Sequence, residues 1–102
     1  MLTIINDSFI EQCLDKFDQK DQIDILQEEC AELIKACSKV KRLAGRYSFT
    51  DPLDNLKEEM THVLISIEVV ARICGITPDD IIGEFLKKAQ KYNFKKEEEI
   101  LK

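Results

Sequence analysis

Two stretches of the chain repeat apolar residues at alternating intervals of four and three positions, and this repeat limits the possible folds more than any other feature. Intervals of four and three place these side chains on one face of an α-helix. Two such faces pack lengthwise, with a crossing angle of about 20°. The apolar residues are Leu26, Cys30, Leu33, Cys37, Val40 and Ala44 in the first stretch, and Leu53, Leu56, Met60, Val63, Ile67, Val70 and Cys74 in the second.

Turn-forming residues are few, and they divide the chain into four predicted helices. No stretch alternates apolar and polar residues as a half-buried strand does. We therefore predict an all-α fold, a four- to five-helix bundle that forms a single domain over residues 1–102. The predicted helix boundaries are a first cap at Asp7 or Ser8, a stop at Gly45 after Ala44, a cap and first turn at Asp51-Pro52, a stop at Gly75, and a second cap and first turn at Thr77-Pro78.

The charge balance excludes several classes of ligand. The 102 residues include 15 Lys or Arg and 20 Asp or Glu, which gives a formal net charge of −5. A chain with an acidic balance and no basic face is unsuited to duplex nucleic acid. No apolar run approaches the ~20 residues of a membrane-spanning helix, and no signal peptide is recognisable at the N-terminus. We expect a cytoplasmic protein without a membrane partner.

The four cysteines support the same location. They lack the short spacings of a zinc site, and each falls on the apolar phase of a predicted helix. We therefore expect reduced cysteines in the core, as is usual for cytoplasmic proteins. The cysteines are Cys13, Cys30, Cys37 and Cys74.

A short acidic repeat lies beside the two apolar faces. Residues 26–34 and 56–64 align with an offset of 30 positions, which matches leucine with leucine and a pair of glutamates with a second pair. In each copy, the second glutamate and the residue three positions later share a helix face. The neighbours on that face are apolar or small, so we expect it to border the core. The four residues are Glu29 and Glu32 in the first copy, and Glu59 and His62 in the second.

These four side chains together predict a metal site. Three carboxylates beside an imidazole in a partly desolvated site repel one another, and a bound divalent cation offsets this repulsion. Carboxylate oxygens suit Mg²⁺ or Mn²⁺, and an imidazole suits Mn²⁺, Fe²⁺ or Zn²⁺ better than Mg²⁺. The simpler alternative is that the acids are solvated charges on the helix surface, with lysines nearby.

The motif Glu29-Cys30-Ala31-Glu32, followed by Glu59-Met60-Thr61-His62, resembles the MazG-like all-α nucleoside triphosphate pyrophosphohydrolases. Their hallmark is E-x-x-E, a spacer and then E-x-x-D, and the resemblance covers residues 20–95. It implies that the acids bind Mg²⁺, which holds the triphosphate while water attacks to give nucleoside monophosphate and pyrophosphate. It also implies catalytic roles for Glu29, Glu32 and Glu59, and phosphate binding by Lys88 and Lys91.

This chain has His62 where that family has aspartate. An imidazole still ligates a metal, but it removes one negative charge and shifts the preference toward Mn²⁺. A catalytically degenerate, regulatory nucleotide-binding dimer therefore stays open as an alternative. Another is a carboxylate-bridged di-iron bundle, since Glu59 and His62 match its E-x-x-H element. That site would need a second copy of the chain.

Two further expectations concern partners and the nucleobase. A bundle of this size has a thin core, and members of the resembling family form oligomers, so we expect a homodimer or homotetramer. Tyr47, Phe49 and Tyr92 are aromatic side chains able to stack on a nucleobase. Nothing in the sequence chooses among them or identifies the base.

Overall fold

The computed structural model describes residues 2–43 and 50–92. They form four α-helices and a short 3₁₀ helix, Gln19–Asp21, and these ranges contain no strand. The all-α prediction is therefore confirmed. The helices are α1, Asp7–Lys16; α2, Gln22–Leu43; α3, Thr50–Cys74; and α4, Pro78–Lys91.

Local capping interactions fix most of the helix ends. The Asn6 side chain accepts hydrogen bonds from two backbone N–H groups of the first turn, so α1 is capped one residue before the predicted position. Gly75 ends α3, as predicted, and its backbone adopts the left-handed conformation, with φ at 70°. The Ile76 N–H then donates to the Ala71 carbonyl, and the Gly75 N–H donates to that of Arg72, which is a Schellman motif.

The two predicted cap-and-proline signals have different outcomes. Thr77 caps α4 as predicted, and Asp80 completes a capping box with it. The α3 helix begins at Thr50, so Asp51 and Pro52 lie inside its first turn and the predicted cap at Asp51 is wrong by one or two residues. The predicted stop at Ala44 and Gly45, and the loop with Tyr47 and Phe49, lie outside the described residues.

The helices α2 and α3 make the main contact of the fold, and α1 packs on the second half of α3. Ile10 and Cys13 of α1 meet Val69 in a buried cluster. Ion pairs from Arg72 to Asp7 and Glu11 hold α1 in the same place. The half of α3 that follows residue 62 is thus covered on two sides.

The α2–α3 contact differs from the predicted apolar seam. Cys30, Cys37, Met60 and Cys74 belong to that seam, and all four are exposed. The buried residues of the contact are one member of the predicted seam, Val63, and two residues outside it, Ala36 and Ser66. Ala36 and Ser66 are small, which lets the two helix backbones approach closely. The apolar surface of each helix is wider than a single neighbour covers, so part of the seam stays exposed.

The expectation of four core cysteines is wrong for three of them. Cys13, on α1, is buried, and Cys30, Cys37 and Cys74 are exposed. The last three lie on the uncovered part of the seam or at the end of α3. All four are free thiols.

The fourth helix turns away from the rest. A bend of 112° separates α3 from α4, and α4 makes few contacts with the other three helices. Its apolar residues Ile81, Ile82 and Phe85 are exposed. Within the described ranges, no single helix has the length and hydropathy to cross a membrane; α3 and α4 pass that test only as a bent pair.

A candidate metal centre between two helices

Three of the four predicted site residues meet between α2 and α3. Glu29 of α2 faces Glu59 and His62 of α3, and one donor atom from each lies within 4.8 Å of the other two. The Nδ1 atom of His62 is 3.2 Å from Glu29 Oε2 and 3.6 Å from Glu59 Oε2. Within the described part of the chain, this is the group of acidic and imidazole side chains with metal-site spacing.

The two glutamates occupy positions that continue the helix contact. Glu29 precedes Ala36 by seven residues, and Glu59 precedes Ser66 by seven. Seven residues are about two helical turns, so each carboxylate lies on the same face as the small residue that packs in the contact. The closely packed region therefore passes directly into the cluster. Glu29 and Glu59 therefore lie at the border of the core, whereas Glu32, on the same predicted face, is exposed.

Burial leaves two carboxylate oxygens without hydrogen-bond donors. The side chains of Glu29 and Glu59 are 26% and 14% exposed, and their Oε2 atoms are buried. No described residue donates a hydrogen bond to either atom. A buried acceptor without a donor costs about 1–3 kcal/mol, and more when it is charged. The site therefore lacks a positive partner at its centre.

Either a proton on His62 or a bound cation would supply that positive charge. A protonated His62 would pair with both carboxylates. A neutral His62 would instead offer its Nδ1 lone pair to a cation that the two carboxylates also bind. Two adjacent ligands of an octahedral Mg²⁺ or Mn²⁺ ion at about 2.1 Å are about 3.0 Å apart, and those of a tetrahedral ion are about 3.4 Å apart. The observed 3.2 and 3.6 Å between Nδ1 and the two oxygens are close to this range. These donors fit a divalent cation.

The fourth predicted ligand, Glu32, lies outside this group. Its side chain is 52% exposed and forms an ion pair of 3.5 Å with Lys35. Such an exposed pair contributes about 0–1 kcal/mol, so it does not hold Glu32 firmly. The structure thus brings together three of the four residues chosen from the sequence.

The predicted phosphate-binding lysines also lie apart. Lys88 and Lys91 are on α4, beyond the bend that follows α3. The ammonium group of Lys88 lies over the Tyr92 ring, 5.8 Å from its centroid, and neither lysine forms an ion pair with a described carboxylate. His62 precedes the end of α3 by 12 residues, or about 18 Å of helix. A single chain does not bring these lysines to the cluster.

Sequence reasoning did not assign a role to two buried polar side chains near the cluster. Gln22 and Ser66 are buried where most neighbours are apolar. The sequence did contain a signal for each, namely a polar residue on the core face of its helix. Gln22 precedes Ile25 by three residues, and Ser66 follows His62 by four, so each is about one helical turn away. Both side chains line a cavity with Ile25.

Comparison of the chain with profiles of known protein families, with curated proteins and with solved structures finds no match. The resemblance to MazG-like enzymes therefore depends on the motif residues alone. What the cluster can do is argued below from its own donor atoms, burial and spacing.

Proposed function

We propose that the protein is a metal-dependent nucleoside triphosphate pyrophosphohydrolase, which releases nucleoside monophosphate and pyrophosphate. The observation that carries the proposal is the pair of buried, donor-free oxygens of Glu29 and Glu59 beside His62 Nδ1. The paired E-x-x-E and E-x-x-H motifs add the resemblance to an enzyme family with this activity. Oxygen-rich donor sets of this kind suit Mg²⁺ or Mn²⁺.

Glu29, Glu59 and His62 would hold the cation, and the close α2–α3 contact fixes the two helices that carry them. When bound, the cation supplies a Lewis acid that neutralises charge on the phosphates and acidifies a water molecule. Glu32 is free to leave Lys35 at little cost and to act as a fourth acid at the edge of the site. His62 in place of an acid favours Mn²⁺ over Mg²⁺.

The proposal includes a homodimer or homotetramer. Ile34 of α2, Met60 of α3 and the apolar face of α4 are exposed in the single chain. Exposed apolar side chains on three helices are surface that a second copy of the chain would cover. A second copy that covers these residues would also allow Lys88 and Lys91 of one chain to approach the acidic cluster of another. Lysines act there as point charges that hold phosphate oxygens.

One observation favours a second candidate function. Among the described residues, three of the four predicted ligands converge, and Glu32 lies apart. A site with one carboxylate fewer binds metal and nucleotide more weakly and positions a water less firmly. The second candidate is therefore a nucleotide-binding or regulatory helical dimer that does not hydrolyse its ligand.

The test is pyrophosphate release from a panel of nucleoside triphosphates, with Mg²⁺ or Mn²⁺ and with EDTA. We expect metal-dependent release by the native protein and a loss of about 100-fold or more in Glu29→Gln and Glu59→Gln. Asp24→Asn is the matched control, because Asp24 is an exposed carboxylate on the same helix as Glu29. That variant keeps its activity.

Other results of this test would contradict the proposal. Metal-dependent nucleotide binding without pyrophosphate release would assign the non-hydrolysing alternative. Iron in the purified protein, with a stoichiometry of two ions per dimer, would assign the di-iron bundle. Release that does not depend on Glu29 or Glu59 would place the site elsewhere.

The oligomer is tested separately by light scattering and by thermal unfolding at several protein concentrations. We expect a mass of at least a dimer and a melting temperature that rises with concentration. A monomeric mass at micromolar protein would show that the exposed apolar residues have another role.

A further inference from the structure

The fourth helix carries an apolar stripe that the other described helices leave exposed. Steps of three, four and three residues separate four members of the stripe and place them on one side of α4. The large side chains are 39–52% exposed, because α4 bends away from α3 and makes few contacts with the other helices. The members of the stripe are Ile82, Phe85, Ala89 and Tyr92, with Ile81 at its edge.

The sequence of α4 gives the helix little stability of its own. Isolated helices shorter than about 12–15 residues are marginal in water, and glycine in the interior weakens them further. The α4 helix has 14 residues, and Gly83 lies near its middle. Such a helix is held mainly by packing of its apolar side. Since α1, α2 and α3 supply little of that packing, we expect another surface to cover the stripe.

An open depression on this side of α4 has the arrangement that receives a side chain from another helix. Its wall residues lie at positions i, i+3, i+4 and i+7, which outline the hole of knobs-into-holes packing. The small Ala89, 5% exposed, lies at the centre of the depression between larger side chains. The wall residues are Phe85, Lys88, Ala89 and Tyr92. The shape therefore fits a helix that packs along α4.

The charges beside the stripe indicate which helix fits. One flank of α4 carries two acids in its first half and two bases in its second half, at steps of four, three and four residues. When two copies of this helix are antiparallel, the acids of each face the bases of the other, whereas parallel copies oppose like charges. The flank residues are Asp80, Glu84, Lys87 and Lys91. The helix is thus complementary to a second, antiparallel copy of itself.

One register satisfies the apolar stripe and the charged flank together. With Phe85 opposite Phe85 of the second copy, Ile81 lies opposite Ala89 and enters the depression. In the same register, Glu84 lies within one residue of the position opposite Lys87, and the outer acid and base of the flank are related in the same way. Long lysine side chains easily span one residue of helix rise.

Within the single chain, Lys87 pairs with Glu84 at 3.1 Å, and both side chains are more than 70% exposed. An exposed pair of this kind contributes little to stability. Exchanging it for a pair between two chains therefore costs little.

We propose that α4 is a self-association helix, which pairs antiparallel with α4 of a second copy around Phe85. The proposal specifies one contact of the proposed homo-oligomer and does not depend on the proposed hydrolysis. In this pair, Lys91 lies near the start of the partner's α4, away from the partner's acidic cluster. A phosphate role for Lys91 would therefore need the additional contact of a tetramer.

Sedimentation equilibrium of the full-length protein, in EDTA and without nucleotide, measures the association. Phe85→Glu weakens it by about 100-fold or more, because it places two charges at the centre of the contact. Phe85 is 42% exposed in the single chain, so circular dichroism should show that α1, α2 and α3 stay folded. Phe9→Glu is the matched control, since Phe9 of α1 is 47% exposed, and it associates as the native protein does.

A pair of charge reversals tests the orientation. Glu84→Lys and Lys87→Glu each weaken self-association by about tenfold, because two attractive pairs become repulsive. The two changes alter the net charge in opposite directions, so overall charge does not explain a shared loss. When the two variants are mixed, every such pair is again of opposite sign, and association returns to about the native strength. Lys20→Glu, at an exposed lysine of the 3₁₀ helix, is the control and does not associate more strongly with Glu84→Lys.

The results separate this inference from the proposed hydrolysis, because the measurement contains neither metal nor nucleotide. Restored association of the mixed variants would support the α4 pair even if no pyrophosphate were released. Self-association that survives Phe85→Glu would assign the contact to α2 and α3 and overturn the inference. A native protein that stays monomeric at micromolar concentration, or a mixture that associates no better than its components, would also overturn it.

Discussion

Two glutamates of the same helix show opposite ways of burying a carboxylate. Glu68, in the half of α3 covered by α1, is 1% exposed and accepts a hydrogen bond from the Thr3 backbone N–H. Glu59, nine residues earlier, is also largely buried, but its Oε2 atom has no donor among the described residues. The segment before α1 therefore supplies a donor for Glu68, and no described residue donates to the Oε2 atom of Glu59.

The difference indicates which carboxylate maintains the fold. Hydrogen bonds to a charged acceptor are about twice as strong as neutral ones, so the contact between Thr3 and Glu68 fastens the N-terminal segment to α3. Around Glu59, the neighbouring groups are another carboxylate and an imidazole. Two ionised carboxylates side by side repel each other unless a positive charge lies between them, and the cation of the proposed site would supply that charge.

The largest expected effect is on the stability of the metal-free protein. Glu68→Ala lowers the free energy of unfolding by about 3 kcal/mol, because it leaves the Thr3 N–H without its acceptor and creates a cavity. Glu59→Gln leaves this free energy unchanged or raises it, because it removes repulsion between two carboxylates. Urea denaturation in EDTA measures both. Equal losses in the two variants would mean that Glu59 is also a structural residue.

A somewhat smaller effect comes from the metal. Mn²⁺ at 100 times its dissociation constant raises the free energy of unfolding of the native protein by about 2.7 kcal/mol. Glu29→Gln and Glu59→Gln lose most of this increase, because each removes one anionic ligand. Glu68→Gln keeps it, since Glu68 lies away from the cluster and serves as the matched control. Denaturation with and without Mn²⁺ measures the increments, and an increase that survives in the Glu29 and Glu59 variants would exclude the cluster as the site.

A third prediction concerns His62 and is about half as large. His62→Ala weakens Mn²⁺ binding by about tenfold, or about 1.4 kcal/mol, because the metal loses one ligand. His62→Asp moves the preference from Mn²⁺ toward Mg²⁺, because it replaces nitrogen with a charged oxygen. Calorimetric titration of both metals into the three proteins gives the ratios of dissociation constants. If His62→Ala binds both metals normally, the imidazole is only a neighbour of the two carboxylates.

The repeat in the sequence was sufficient to find Glu29, Glu59 and His62, but it could not show that Glu32 would lie apart. Glu32 and His62 occupy equivalent positions of the repeat. Three residues later, however, one copy has Lys35 and the other has Ile65. In the structure Glu32 is exposed and pairs with Lys35, whereas His62 lies beside the two glutamates and has the uncharged Ile65 at the matching position. The motif contains neither of these flanking residues.

Helix ends were more predictable than helix faces. Gly75 and Thr77 act through their own backbone and the next few residues, so local sequence determines them. Which stripe of α2 meets α3 depends instead on how closely two helices approach. The small Ala36 and Ser66 move the contact away from Cys37 and Met60, and this choice is made only in the tertiary structure.

Asp80 extends the comparison to an exposed carboxylate that has donors. The Thr77 N–H donates to Asp80 Oδ2 at 2.8 Å, and the Asp80 N–H donates to the Thr77 hydroxyl at 3.2 Å. The hydrogen bond from the Thr77 backbone, with a smaller contribution from the Thr77 side chain, lowers the pKa of Asp80 below its ordinary value of 3.8. Folding therefore favours the ionised form of this carboxyl group.

The smallest expected effect is the pH dependence that follows from this shift. The stabilisation of α4 by Asp80 is fully present above the ordinary carboxyl pKa, and it is lost as the pH falls through the lowered value in the folded protein. Asp80→Asn removes this dependence. Asp79→Asn is the matched control, since it removes the same charge from the same helix end but no hydrogen bond to Thr77. Amide exchange of α4 from neutral to acidic pH measures the effect locally, because α4 makes few contacts with the other helices. If both variants followed the same pH profile, the pH dependence would come only from negative charge near the helix N-terminus. The hydrogen bond from Thr77 would then not be the feature that separates Asp80 from the carboxylates of the cluster.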